Sequence, residues 1–346
     1  MTETANDESA TALRFPPAGT TDKLKDQQMT WIAASQRERR EQIGRFVLGA
    51  GGIGGIAGAT GPGLGLSDSE GLALLDRAVE EGFKVLDTAD VYTGGNSERV
   101  VGTWNRTHPD AGIFIQTKTG ITPDGPDLSP DRVARQLERS IAVLGRVDLY
   151  LAHAVDPNTP WAESLPVFSR AVENGTIRAY GLSNVDGKAL ASALETADRL
   201  VLVRPELIQN QYSLLARGDD EEVLPLVQSE GLAYTPFSPL ANGLLAGRYS
   251  NGERPAPGSR ASVASRSARL LDDPATVAKL RQFDRVAEGQ GVSPAGLALA
   301  WLLNHPAVTA PIVSVSKESQ WQGIHEASTL KWTDALGELL DDVFGR

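Results

Sequence analysis

Between an apolar run and a helix start the chain reads Asp87-Thr88-Ala89-Asp90-Val91-Tyr92-Thr93-Gly94-Gly95-Asn96-Ser97-Glu98. The run before it, Phe83 to Leu86, has the length of a strand, and a carboxylate closes it, with a phenol five positions further on. A tyrosine at the mouth of a strand can donate a proton when a nearby cation favours its phenolate. Other polar or aromatic groups close other apolar runs: Lys118, His153, Ser183-Asn184, Gln209 and Phe237-Ser238. A polar residue at one strand end is commonplace, whereas six strand ends carrying one suggest a shared site.

The elements that must position these groups are readable from residue 45 onward. Strand-like runs span Arg45–Gly49, Phe83–Asp87, Ile113–Lys118, Val147–His153, Ile177–Leu182, Glu206–Gln211, Leu232–Phe237 and Val308–Val313. Helical patterns lie between them. Ser67-Asp68-Ser69-Glu70 reads as a capping box ahead of Leu72, Leu74, Leu75 and Val79, with Gly82 as the stop. Ser129-Pro130 and Ser293-Pro294 each set an N-cap before a proline at the first helical position. Most strand starts follow one another at roughly 25 to 40 residues, the size of a βα unit. Eight such units predict a (β/α)8 TIM barrel over residues 45–346, whose chemistry belongs at the C-terminal ends of the strands. The longest step, between strands seven and eight, holds Gly252 to Arg269, rich in Gly, Pro, Ser and Arg, and predicts a long functional loop.

A rival fold has to be weighed. Gly49, Gly51 and Gly54 satisfy G-x-G-x-x-G directly after a strand, the dinucleotide fingerprint of a doubly wound sheet. That motif needs a helix to open at its last glycine, and Ile56-Ala57-Gly58-Ala59-Thr60-Gly61-Pro62-Gly63 cannot hold one. Nor does an acidic residue end a second strand about 20 residues on. The glycines are expected to form a loop at the barrel mouth.

Composition excludes several classes. The 346 residues are 41% hydrophobic and 22% charged, enough for a full core, and the net charge of −11 argues against nucleic acid or an anionic membrane as partner. No cysteine is present, so thiolate chemistry and disulfides are excluded, and His108, His153, His305 and His325 lack metal-ligand spacing. No metal is expected. Residues 1–44 read as a poorly structured or loosely docked N-terminal extension, polar at first and then a charged helical stretch from Ile32 to Ile43. Arg39-Arg40 before the mildly apolar run Phe46 to Ala59 raises a twin-arginine export signal, but cleavage there would delete the first strand, so a cytoplasmic location is expected.

The segments Asp87 to Tyr92 with Ser97-Glu98, Gln116-Thr117-Lys118, Asp148 to His153, Gly181 to Asn184, Gln209 to Leu215 and Phe237 to Leu245 together resemble the aldo-keto reductase family, over roughly residues 45 to 328. The resemblance implies reduction of an aldehyde or ketone by a nicotinamide nucleotide, or the reverse, with a catalytic tetrad of Asp87, Tyr92, Lys118 and His153. The chemistry is consistent with those roles. Hydride addition to a carbonyl leaves an alkoxide, which needs an acid within hydrogen-bond reach, and Tyr92 would supply it. Moving a phenol from its usual pKa of about 10 toward 7 takes about 4 kcal/mol. An ammonium about 4 Å away supplies about that much at an effective dielectric of 20. Lys118 would be that ammonium, Asp87 would keep it protonated, and His153 would orient the carbonyl.

By the same resemblance Ser183, Asn184 and Gln209 would bind the carboxamide, Phe237 would stack on the nicotinamide, and Ser238, Leu240 and Asn242 would meet the diphosphate. Ser314, Ser316, Lys317 and Gln320 would face the adenosine end, with Ser316 also placed to cap the following helix. Lys317 and Ser316 suit a 2′-phosphate, hence NADP(H), while Gln320 in place of a common Arg leaves NAD(H) open. Two other classes remain: a nucleotide-binding, channel-subunit-like regulator with little turnover, and a barrel hydrolase or isomerase using Asp87, Asp90 and His153 as acid and base. The carbonyl substrate is unspecified, its pocket expected from Trp104, Ile121 to Leu128, Ala154 to Trp161, Ala216 to Asp219 and the tail from Leu330. Oligomeric state has no signal.

Overall fold

The computed structural model describes residues 35–55, 65–256, 259–263 and 265–345. Eight parallel strands run β1 (Val47–Gly49), β2 (Val85–Asp87), β3 (Phe114–Thr119), β4 (Leu149–Ala152), β5 (Ala179–Ser183), β6 (Leu207–Gln209), β7 (Ala233–Tyr234) and β8 (Ile312–Val313), hydrogen-bonded in the order β8-β1-β2-β3-β4-β5-β6-β7. Single hydrogen bonds join the two outer strands: Thr309 N–H donates to Tyr234 O at 2.8 Å and Ile312 N–H to Pro236 O at 2.8 Å. Pro236 and Pro311 have no N–H to give, which leaves this seam thinner than the others. The sheet is the expected barrel, and the doubly wound alternative is absent from it.

The two-residue period of the strands sorts side chains between two cores. Val47, Val85, Leu149, Leu151, Ala179, Leu207, Ala233 and Ile312 fill the lumen, while Leu48, Leu86, Ile115, Tyr150, Tyr180, Leu182, Ile208 and Tyr234 face the helical layer. Continuing each lumen-facing series past its apolar residues brings Asp87, Gln116 and Lys118, His153, Ser183 and Gln209 into one ring at the C-terminal mouth. The register fixes their heights: Asp87 pairs with Gln116, and Ser183 with Gln209.

The helix caps follow their sequence signals in part. Ser67 and Glu70 form the reciprocal capping box on the Asp68–Glu80 helix, and Ser293 Oγ accepts from Gly296 N–H at the start of Pro294–Asn304. Ser129 occupies the N-cap of Pro130–Leu144, but its side chain makes no cap bond. The Gly252 to Arg269 stretch is not one irregular loop: it carries the short helix Arg260–Val263 and most of a second, Ser265–Asp272.

Of the expected N-terminal extension, residues 1–34 lie outside the described residues. The helix Gln36–Ile43, opened by a Ser35/Glu38 capping box, lies under the barrel. Ile43 is buried in the lumen cluster, and Arg40 donates through Nη2 to His305 O at 2.9 Å and through Nε to Val308 O at 3.0 Å.

Candidate active site

The site grows from β3. Alternation on Phe114–Thr119 turns Gln116 and Lys118 into the lumen and Thr117 and Thr119 outward. Lys118 is fully buried, and its ammonium has three protons to place. All three find acceptors: Asp87 Oδ2 at 2.8 Å, the Thr88 carbonyl at 2.8 Å and Tyr92 Oη at 2.9 Å. Burial pushes the ammonium pKa down, but Asp87 and Tyr92 outweigh it and hold Lys118 above the ordinary lysine value. Asp87 in turn accepts through Oδ1 from both Gln116 Nε2 and, at 3.1 Å, Gln209 Nε2. One carboxylate thus ties together β2, β3 and β6.

Tyr92 arrives from a strained turn. Thr93 at φ 52° is followed by Gly94 and Gly95 at φ 67° and 89°, three successive left-handed residues of which only the glycines adopt that region freely. The Thr93 hydroxyl lies 3.0 Å from Ile53 O and accepts from Ser97 N–H at 3.1 Å, while Ser97 Oγ reaches Ala50 O at 2.9 Å. The β1 loop therefore braces the turn. Gly51 of the same loop lies flat against the phenol: a Cβ there would sit 3.3 Å from the Tyr92 ring. The Gly49-to-Gly54 segment is thus a packing surface for Tyr92, while residues 56–64 of the expected mouth loop lie outside the described residues.

His153 follows β4 and stands edge-on to Tyr92, ring centroids 5.6 Å apart at 78°. Burial first, and then the charge of Lys118, lower its pKa to about 3. The ring is neutral at ordinary pH and so carries one N–H. Its Nδ1 has no hydrogen-bond partner among the described residues. A neutral donor and a lysine-bound phenol side by side at a barrel mouth suit polarisation of an oxygen and transfer of a proton to it.

The residues expected to hold a nicotinamide nucleotide line one arc of the mouth. Ser183 Oγ donates to Gln209 O at 2.7 Å, and Asn184, left-handed at φ 55°, donates through Nδ2 to His153 O at 2.8 Å. That leaves the Asn184 carboxamide oxygen for an amide donor. Phe237 is half-buried over the lumen cluster. Beyond it Ser238, Ala241 and Asn242 hold φ of 54°, 48° and 57° around the 3-10 segment Ala241–Ala246, with Leu240 at its N-cap. Left-handed non-glycine residues cost about 1–3 kcal/mol each and cluster where a backbone clamps a ligand. Such an arc of backbone can seat a ligand.

The segment expected to face an adenosine is capped differently from expectation. Ser314 Oγ donates to Gly49 O at 3.0 Å, while Ser316 and Lys317 are exposed. Ser316 does not cap the following helix. Instead Gln320 Oε1 accepts from Ser316 N–H at 2.7 Å and Lys317 N–H at 3.1 Å, so a side-chain carbonyl already covers the amides that an anion would use. Trp104 is no pocket wall: it is buried in the helical layer, its indole N–H donating to Asp76 at 2.7 Å. The tail helix Asp334–Phe344 packs Phe344 against Phe283 of an outer helix.

Sequence reasoning assigned no role to Gln116 or to the Thr88 carbonyl, and gave Gly51 a place in a mouth loop but no contact with Tyr92. The signal for Gln116 was available, because it lies two residues before Lys118 and must share its face. The other two depend on backbone geometry that residue types do not reveal.

The model of the Aldo/keto reductase family matches residues 47–343. A probable voltage-gated potassium channel subunit beta from Oryza sativa is 32% identical, covering 74% of this chain and 80% of its own length. A probable aldo-keto reductase 1 from Glycine max is 30% identical over 73% and 72%, and a versiconal hemiacetal acetate reductase from Aspergillus parasiticus 27% over 74% and 81%. With the match spanning nearly all of the barrel, the chain belongs to the aldo/keto reductase family.

Proposed function

We propose that this oxidoreductase reduces an aldehyde or ketone to an alcohol, or runs the reverse, with NADP(H) preferred and NAD(H) tolerated, and with Tyr92 as the proton donor. The observation that carries the reading is the fully buried Lys118 bonded at once to Asp87, Thr88 O and Tyr92 Oη. An ammonium in that position stabilises the phenolate left when Tyr92 gives up its proton. Neutral His153 holds the substrate oxygen next to the phenol. When bound, the nicotinamide supplies or takes up the hydride. Ser183, Asn184 and Gln209 would bind its carboxamide, Phe237 would cover the ring, Ser238, Leu240 and Asn242 would bind the diphosphate, and Ser314, Ser316, Lys317 and Gln320 would meet the adenosine end.

Preference for NADP(H) rests on Lys317, and tolerance of NAD(H) on the Gln320 oxygen that a 2′-phosphate would have to displace. At the floor of the barrel Arg40 donates to Val308 O and His305 O, and Arg39 lies beside Glu206. Channel-subunit names among the relatives keep a regulatory reading in view. Turnover separates the two.

The test is a panel of aldehydes and ketones run with NADPH and NADH in parallel, beside a fluorescence titration of each cofactor. Tyr92→Phe is expected to keep NADPH binding while carbonyl reduction falls by at least about 10²-fold, the loss typical of a missing general acid. Near-normal turnover in that variant would remove Tyr92 from the mechanism, and absence of any effect on NADPH fluorescence would remove the reductase reading itself.

A further inference from the structure

The turn that carries Tyr92 is fastened along the strand that carries Lys118. Past the end of β2 the backbone goes on pairing with β3: Thr88 N–H donates to Gln116 O at 2.9 Å and Asp90 N–H to the Lys118 carbonyl at 3.1 Å. The Asp90 side chain then takes hold of the next residue of the same strand, its Oδ2 accepting from Thr119 Oγ1 at 3.0 Å. On the far side of the turn Glu98 accepts from Thr117 Oγ1 at 2.6 Å. Thr117 and Thr119 are the outward neighbours of inward-facing Lys118. Two carboxyls therefore grip the outer face of the strand whose inner face bonds the phenol.

Asp90 is costly where it stands. Its side chain is only 4% exposed, the Arg132 guanidinium stops 3.8 Å away, and its second oxygen has no hydrogen-bond partner among the described residues. Burial raises its pKa to about 6 against the pull of the Thr119 hydroxyl, with Glu98 adding to the rise and Arg132 opposing it. A chain that needed only to fold would do better with an apolar residue there. The turn, however, holds Thr93 in the left-handed region at φ 52°, a conformation that persists only where its surroundings impose it. Asp90 sits three residues before Thr93 and two before Tyr92, at the last point where the turn still pairs with β3.

We infer that Asp90 is a positioning residue for the reaction: its bond with Thr119 locks the turn onto β3 and so sets Tyr92 Oη against Lys118. The inference rests on the reading of Tyr92 as proton donor. Asp90 touches neither substrate nor cofactor site, so it acts through the phenol alone.

The experiment compares Asp90→Ala, Asp90→Asn, Thr119→Val, Tyr92→Phe and the double variant Asp90→Ala/Tyr92→Phe in the full chain, with NADPH and the best carbonyl of the panel. Asp90→Ala and Thr119→Val are each expected to lower kcat by about tenfold or more, with KM and the NADPH Kd within about twofold, as misplacement of a reacting group does. Asp90→Asn keeps an oxygen for Thr119 and is expected to restore kcat to within about threefold of the parent. In the Tyr92→Phe background Asp90→Ala should cost nothing further, because the phenol it positions is gone. Equal losses in both backgrounds, loss of cofactor affinity in step with kcat, or kcat within twofold of the parent in Asp90→Ala and Thr119→Val would each overturn the inference. Undiminished turnover in Tyr92→Phe itself would instead bring down the proton-donor reading, and this inference with it.

Discussion

Lys118 is the residue on which the site turns, because a buried ammonium with three acceptors has one stable place to be. The energetics of that place are lopsided. Removing one member of a buried ion pair strands the other and costs about 3–5 kcal/mol, whereas replacing both by neutral groups can be nearly free. Lys118→Met should leave the Asp87 carboxylate without its cation, and Asp87→Asn should leave the ammonium without its anion. Each single variant is expected to unfold about 3–5 kcal/mol more readily than the parent, and the double variant Lys118→Met/Asp87→Asn to recover much of that loss. Urea unfolding curves of the four proteins test this. Additive losses would mean that the two groups are not an energetic pair, despite the 2.8 Å between them. All three variants should be inactive in carbonyl reduction, so the double variant separates stability from catalysis.

At the scale of elements, sequence and structure agree where periodicity governs and part where geometry does. All eight strands were legible because each is an apolar run bounded by turn residues, and the polar or aromatic residues ending six of the runs marked the lumen mouth. The expected bounds are mostly too wide, Val308–Val313 shortening to Ile312–Val313 and Leu232–Phe237 to Ala233–Tyr234, since ladders narrow to single hydrogen bonds such as His153 N–H to Thr119 O at 2.7 Å, while β3 and β5 each run one residue past the expected end. Thr93 could not be read as left-handed, because a β-branched residue is the wrong type for that region. Gln320 over the amides of Ser316 and Lys317 is a rotamer, invisible in residue order. The Gln36–Ile43 helix was legible as a helix but its docking was not, since only the fold shows a lumen open from below for Ile43 to enter. That docking makes a prediction. Ile43→Ala should lower stability by about 2–5 kcal/mol, the range for an aliphatic core truncation, while leaving KM for cofactor and carbonyl unchanged at the opposite end of the barrel. Stability within about 0.5 kcal/mol of the parent would show that this helix is no part of the folded unit.

Across the whole molecule the two ends of the barrel hold buried titratable groups of opposite effect. At the mouth, His153 is kept neutral with its pKa lowered to about 3, so below about pH 6.5 the unfolded chain binds a proton that the native state refuses, and stability falls with acid. At the floor, burial lifts Glu206 to about 7, opposed by Arg39 of the docked helix. Here the sign is reversed. Between about pH 4.5 and 7 the native state holds a proton that the unfolded chain has released, so this group's contribution is full below that window and lost as pH rises through it. A shift from the ordinary value of 4.5 to about 7 makes that loss up to about 3 kcal/mol. Because His153 tilts the same curve the other way, the parent's pH profile alone cannot separate them, but a neutral isostere can. Glu206→Gln should match the parent within about 0.5 kcal/mol near pH 4.5, then become progressively the more stable of the two, by up to about 3 kcal/mol at pH 8. Chemical unfolding of both proteins at pH 4.5, 6 and 8 reads the difference directly. A gap that stays constant across those three values would mean that Glu206 titrates alike in the folded and unfolded chain, and that the floor of the barrel is wetter than its 7% exposure implies.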